Sequence, residues 1–70
     1  MFWWFEREGR YVRCETRFNR KGSYEFVTTH PDGTEHVEYF TDADAMTRRQ
    51  EAAQLELAAD GWTGPHGWNI

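Results

Sequence analysis

Bulky apolar and polar residues alternate along the first forty positions in four short runs, each closed by a cluster of turn-forming residues. A period of two is the mark of a strand that sets one face against a core and the other outside. The runs fall at about residues 2–7, 10–18, 23–30 and 35–40. Glu8-Gly9, Asn19-Arg20-Lys21-Gly22 and Pro31-Asp32-Gly33-Thr34 separate them, each with a glycine that accepts a left-handed backbone at a tight turn. After Phe40 the period lengthens. Thr41-Asp42-Ala43-Asp44 carries a hydroxyl three residues before an acid, a variant of the capping box, and good helix formers follow until Gly61. One helix over about 42–60 is expected. The predicted fold is α+β: a four-stranded antiparallel β-meander followed by one C-terminal α-helix packed on one sheet face. It forms a single domain over residues 1–62. The stretch 63–70, broken by Gly64, Pro65 and Gly67, is expected to be an irregular C-terminal tail.

Registers follow from the loops, because a slip of one residue exchanges the two faces. A two-residue loop at Glu8-Gly9 sets Phe5 opposite Val12, Trp3 opposite Cys14 and Trp4 opposite Arg13. A three-residue loop at Arg20 to Gly22 sets Phe18 opposite Tyr24, Thr16 opposite Phe26 and Arg17 opposite Glu25. The two agree on a core face of Trp3, Phe5, Val12, Cys14, Phe18, Tyr24 and Phe26. For the last hairpin, a two-residue loop at Asp32-Gly33 is favoured for keeping that face apolar, pairing Phe26 with Tyr39 and leaving Phe40 on the second face. The competing arrangement, with Pro31 in a type I turn and a bulge at Gly33, shifts the alternation by one.

The run Phe2-Trp3-Trp4-Phe5 is what disturbs this picture. Unbroken aromatics put bulk on both sides of a strand, and a small core covers only one side. Phe2, Trp4, Tyr11, Arg13, Arg17 and Val27, with Phe40, are thereby the candidate interaction surface. The helix also divides into two apolar stripes. Ala45, Ala52, Leu55 and Ala59 form one, and Met46, Ala53 and Leu57 the other, with Arg49, Glu56 and Asp60 between. Both reading as one broad core face is one expectation, and one stripe meeting a second subunit is the alternative.

Composition narrows the partners. Residues 1 to 30 carry six basic groups against four acidic ones, and residues 31 to 70 carry two against eight, so a net charge of −4 conceals a basic first half and an acidic second half. Cys14 is the single cysteine, which excludes an intrachain disulfide and fits a reduced compartment. The longest apolar run, Met1 to Phe5, is far too short for a membrane span or the apolar part of a signal peptide, so a cytoplasmic protein with no membrane contact is expected. His30 and His36 flank one hairpin without a cysteine or a compact acid cluster at ligand spacing, so no metal and no cofactor are expected. No phosphate-binding loop and no pairing of nucleophile and base are evident, and catalytic residues are not expected.

Trp4 opposite Arg13, with Tyr11 and Arg17 nearby, is chemistry that stacks unpaired bases and tracks phosphates. The order of four antiparallel strands and a helix resembles the unit of Whirly, Pur-alpha and related single-stranded DNA-binding proteins. That resemblance lies in the order of elements and implies single-stranded nucleic-acid binding, with no residue motif to carry over. Glu6, Glu15, Glu25 and Glu38 are expected on the same face and oppose phosphate. The leading expectation is a non-catalytic interaction module, a homodimer or a binder of a protein partner through this face, with single-stranded nucleic acid as the alternative.

Overall fold

Glu8 and Gly9 both take left-handed backbone, with φ of 52° and 78°, and so make the two-residue turn whose twist matches an antiparallel pair. They join β1 (Phe2–Arg7) to β2 (Arg10–Phe18) with the expected register, Phe5 opposite Val12, Trp3 opposite Cys14 and Trp4 opposite Arg13. The computed structural model describes residues 1–67 of the chain. At the second turn the Asn19 N–H donates to Ser23 O at 2.9 Å and Gly22, at φ 83°, donates back to Asn19 O at 3.1 Å. Arg20 to Gly22 is thus the three-residue loop, and β3 (Tyr24–Thr29) pairs with β2 as expected, Phe18 opposite Tyr24 and Arg17 opposite Glu25.

The third hairpin departs from the favoured register. The His30 N–H donates to Thr34 O at 2.8 Å and the Gly33 N–H to His30 O at 2.9 Å, with Gly33 at φ 90°. Pro31-Asp32-Gly33 is therefore a three-residue loop, in which Pro31 supplies its fixed φ and Gly33 the bulge. The Thr34 N–H on Asp32 Oδ1 at 2.9 Å reinforces the turn and holds that carboxyl below its ordinary range. As a result β4 (Glu35–Phe40) sets Glu38 opposite Phe26, Val37 opposite Val27 and Phe40 opposite Tyr24. His36, Glu38 and Phe40 point to the helix side, whereas Glu35, Val37 and Tyr39 point to the second face.

α1 (Ala43–Ala59) starts at Asp42, whose side chain accepts the Asp44 N–H, so the cap is one residue later than the Thr41 hydroxyl expected. It ends at Gly61, φ 88°, where Gly61 donates to Ala58 O at 3.1 Å and Trp62 to Leu57 O at 3.0 Å. That is a Schellman motif, and Trp62 folds back with Leu57 onto the core as its apolar companion. Met46, Ala53 and Leu57 are the stripe that packs on the sheet, while Leu55 of the other stripe is 72% exposed.

The tail is not irregular throughout. Thr63–His66 forms β5, antiparallel to β1, giving a five-stranded sheet in the order β4-β3-β2-β1-β5. A bulge between Trp4 and Glu6 absorbs the Gly64-Pro65 segment. Gly64, at φ 137°, passes so close to β1 that a Cβ there would stand 2.8 Å from the Phe5 ring and 2.9 Å from Trp4 O. Residues 68–70, including Trp68 and Ile70 of the expected tail, lie outside the described residues.

The core is small. Trp3, Phe5, Val12, Cys14 and Phe26 form one buried cluster beneath the helix, with Trp3 stacked on Phe26 at 6.2 Å between ring centroids. No helix residue is itself buried. Arg49 completes the helix contact. Its Nε donates to both oxygens of Glu38 at 3.0 and 3.2 Å, Nη1 lies 3.6 Å from Glu56, and the guanidinium stands 5.9 Å from the Phe26 centroid. Partial burial works against its charge, and the bonds to Glu38 and Glu56 outweigh it, holding the Arg49 pKa above its ordinary value.

Candidate functional site on the open sheet face

Cross-strand registers arrange the second face in rows. One row runs Phe2, Glu15, Val27, Val37; the next runs His66, Trp4, Arg13, Thr29, Glu35. Arg17, Glu25 and Tyr39 form a third row, and Glu6 with Tyr11 a fourth. Among the described residues no helix or strand covers these rows.

Val27 sits at the centre, only 2% exposed although it faces away from the core. Its neighbours do the covering: Phe2, Arg13, Glu15, Thr29 and Glu35 frame a hollow of about 180 Å³ around it. Long polar side chains commonly cover an apolar floor in this way, with the stem on the apolar surface and the head in water. Tyr11 and Tyr39 stand at either flank, 50% and 68% exposed.

Of the seven candidate residues, six lie on this face: Phe2, Trp4, Tyr11, Arg13, Arg17 and Val27. Phe40 does not. The bulge at Gly33 turns it to the helix side, where it packs half-buried against the core. The same shift exchanges Glu38, expected here, for Glu35, and adds Val37 and Tyr39. Pro31 followed by Gly33 two residues later was the signal for them. His66 arrives through β5, which the pattern of residues 63–66 does not announce.

Trp4 is opposite Arg13 in register, but its indole lies between the Phe2 and His66 rings, 6.1 Å from each centroid, and over Gly67, where a Cβ would collide with it. Trp4 therefore clamps the end of β5 as well as lining the face. Among the described residues the cation found over a ring is Arg49, on the helix side.

The charges of the face are mixed. Arg17 bonds Glu15 at 3.0 Å rather than the cross-strand Glu25, which lowers the Glu15 pKa and raises that of Arg17. Glu25 accepts from Asn19 Nδ2 at 3.3 Å. Among the described residues, the side chains of Arg13, Glu6 and Glu35 make no ion pair. Among the described residues the face thus offers Arg13 as an unpaired cation and Glu6 and Glu35 as unpaired carboxylates, Arg13 and Glu35 at the mainly polar rim of the hollow over Val27.

A second concavity, of about 390 Å³, opens on the other side between α1 and the upper part of β3 and β4. Val12, Cys14, Ala53 and Leu57 form its floor, and His30, His36, Arg49, Glu56 and Asp60 its rim. Sequence reading missed it because it exists only where the helix crosses the sheet. Burial pushes the Cys14 thiol up to about 11, against a smaller downward pull from Arg49, so the group stays protonated at neutral pH and is a poor nucleophile. Among the described residues no group of three or more His, Cys, Asp or Glu is placed to hold a metal ion, and no helix is long and apolar enough to cross a membrane.

No family model, curated protein or solved structure matches the chain.

Proposed function

We propose that the chain is a non-catalytic interaction module whose protein partner docks on the open sheet face. The observation that carries this reading is the open row Phe2-Glu15-Val27-Val37, in which half-buried Phe2 and Val37 lie to either side of the covered Val27, with exposed Tyr11 and Tyr39 at the flanks and unpaired charges of both signs around it. Buried aromatic anchors inside a polar rim are the usual energetic centre of a protein interface. A phosphate backbone asks for one sign of charge, and here Arg13 and Arg17 are outnumbered by Glu6, Glu15, Glu25 and Glu35. The single buried cysteine accords with a reducing, cytoplasmic setting.

A photo-crosslinking residue in place of Tyr11, compared with one in place of the outward helix residue Arg48, tests the reading in extracts of cells that make the chain. A discrete protein adduct from position 11 and none from position 48 is expected. Equal labelling from both, or from neither, overturns it. The unpaired Arg13 between Trp4 and Tyr11 favours single-stranded nucleic acid as the second reading. Titration with short single-stranded oligonucleotides decides that case: binding that weakens steeply with salt, with a slope flattened by Arg13→Ala, would replace the protein partner.

A further inference from the structure

The two edges of the sheet are unlike. β5 is four residues long, is bulged against β1, and contains Pro65, which has no N–H to offer. Such features blunt an edge against pairing. β4 has none of them. It is six residues, Glu35–Phe40, in unbroken register with β3 from Thr29↔Glu35 to Tyr24↔Phe40, and carries no proline and no lysine or arginine.

Which of its backbone groups are free follows from the loop. The His30 N–H on Thr34 O marks that pair as hydrogen-bonded, and in an antiparallel ladder bonded and non-bonded pairs alternate. His36, Glu38 and Phe40 thus spend their N–H and C=O on β3, while those of Glu35, Val37 and Tyr39 project from the edge. β4 is the outermost strand, so among the described residues no further strand pairs with these outward groups.

We propose that a second copy of the chain pairs antiparallel on this edge about a two-fold axis at Val37, joining two sheets into one. Val37 is the one centre that brings all three outward residues of each copy into bonded pairs: Val37 with the partner's Val37, Glu35 with the partner's Tyr39, and Tyr39 with the partner's Glu35. Side chains agree with that register. On the helix side His36, whose side chain is 63% exposed and lies 3.9 Å from Glu38 of its own strand, comes beside the partner's Glu38 as well. Arg49 holds its own Glu38 in place from behind, and a carboxylate so engaged still has lone pairs for an imidazole N–H. On the open face the Tyr39 hydroxyl comes beside the partner's Glu35, a donor against an unpaired acceptor. Cross-strand neighbours of this kind are the unit that selects a strand pairing. An axis perpendicular to the sheet keeps both open faces on the same side, so the pair presents one surface of twice the width. This proposal stands whether or not a protein docks on that surface.

Amide exchange by NMR, with light scattering on the same samples, tests it. On going from dilute to concentrated protein the mass should double, and the Glu35, Val37 and Tyr39 amides should slow together at least tenfold. Those of His36, Glu38 and Phe40 should be protected throughout. His36→Glu sets like charges across the two-fold and should raise the dissociation constant at least tenfold, whereas His36→Lys should preserve the dimer. Circular dichroism on both variants verifies the fold at this exposed position. A chain that stays at 8.4 kDa up to millimolar concentration overturns the proposal. So does a dimer whose three outward amides exchange as fast as in dilute solution, or a His36→Glu variant that dimerises unchanged. Because His36 lies on the helix side, these outcomes leave the crosslinking result from position 11 to judge the open face separately.

Discussion

At the scale of single residues, adjacent aromatics of the first strand have opposite duties. Trp3 is 3% exposed and stacked on Phe26, so Trp3→Ala should cost about 3–5 kcal/mol. A domain of this size has a total stability of roughly 4–10 kcal/mol, and denaturant titration should therefore show that variant at the margin of folding. Tyr11→Ser, half exposed on the other face, should stay within about 0.5 kcal/mol of the parent in the same titration. Cys14 gives a pH signature. Its pKa is raised from 9.0 to about 11 in the fold, so the folded state holds the thiol proton more tightly than the unfolded chain does. The stability tied to it is complete below pH 9 and is lost as pH rises toward 11, on the order of 2 kcal/mol in all. Urea midpoints measured across that window should fall less steeply for Cys14→Ala than for the parent.

At the scale of elements, legibility followed turn chemistry. Glu8-Gly9 and Arg20 to Gly22 each admitted one loop, and the registers read from them are those found, residue for residue. Pro31 to Thr34 admitted two, and alternation argued for the wrong one. Val37 and Tyr39 look like core residues in sequence, yet the Gly33 bulge sends them to the open face and sends Glu38 under the helix. What makes a glutamate acceptable there is Arg49, eleven positions away on another element, and no local pattern carries that. β5 was illegible for a different reason. Gly64 and Gly67 earn their places by lying under Phe5 and Trp4, a contact that shows as breakers rather than as a strand. The same turns suggest an improvement. Glu8 pays for a left-handed backbone at φ 52° with a side chain ill suited to it. Asn favours that region, and Glu8→Asn should raise stability by about 0.5–1 kcal/mol, read as a higher thermal midpoint.

At the scale of the whole molecule, the sheet and the helix are unequal partners. Among the described residues every fully buried side chain belongs to β1, β2 or β3, and the helix contributes none. It is held by Met46, Ala53, Leu57 and the Arg49 bridge to Glu38. Local opening should therefore begin with α1, its amides exchanging well before those of the β2–β3 ladder. Arg49→Ala should widen that gap by making the helix faster while leaving the β2–β3 amides near their original rates. Equal acceleration of both would mean that the helix and the sheet open together.

The position of β5 also bears on how the chain is made. The last strand of the described residues pairs with the first, so during synthesis on the ribosome the outer edge of β1, with its two tryptophans, stays open until residue 66 has emerged. A chain stopped after Trp62 would hold every buried core residue of β1 to β3 and still carry a bare aromatic edge on β1, so premature termination adds a second open edge to the one at β4.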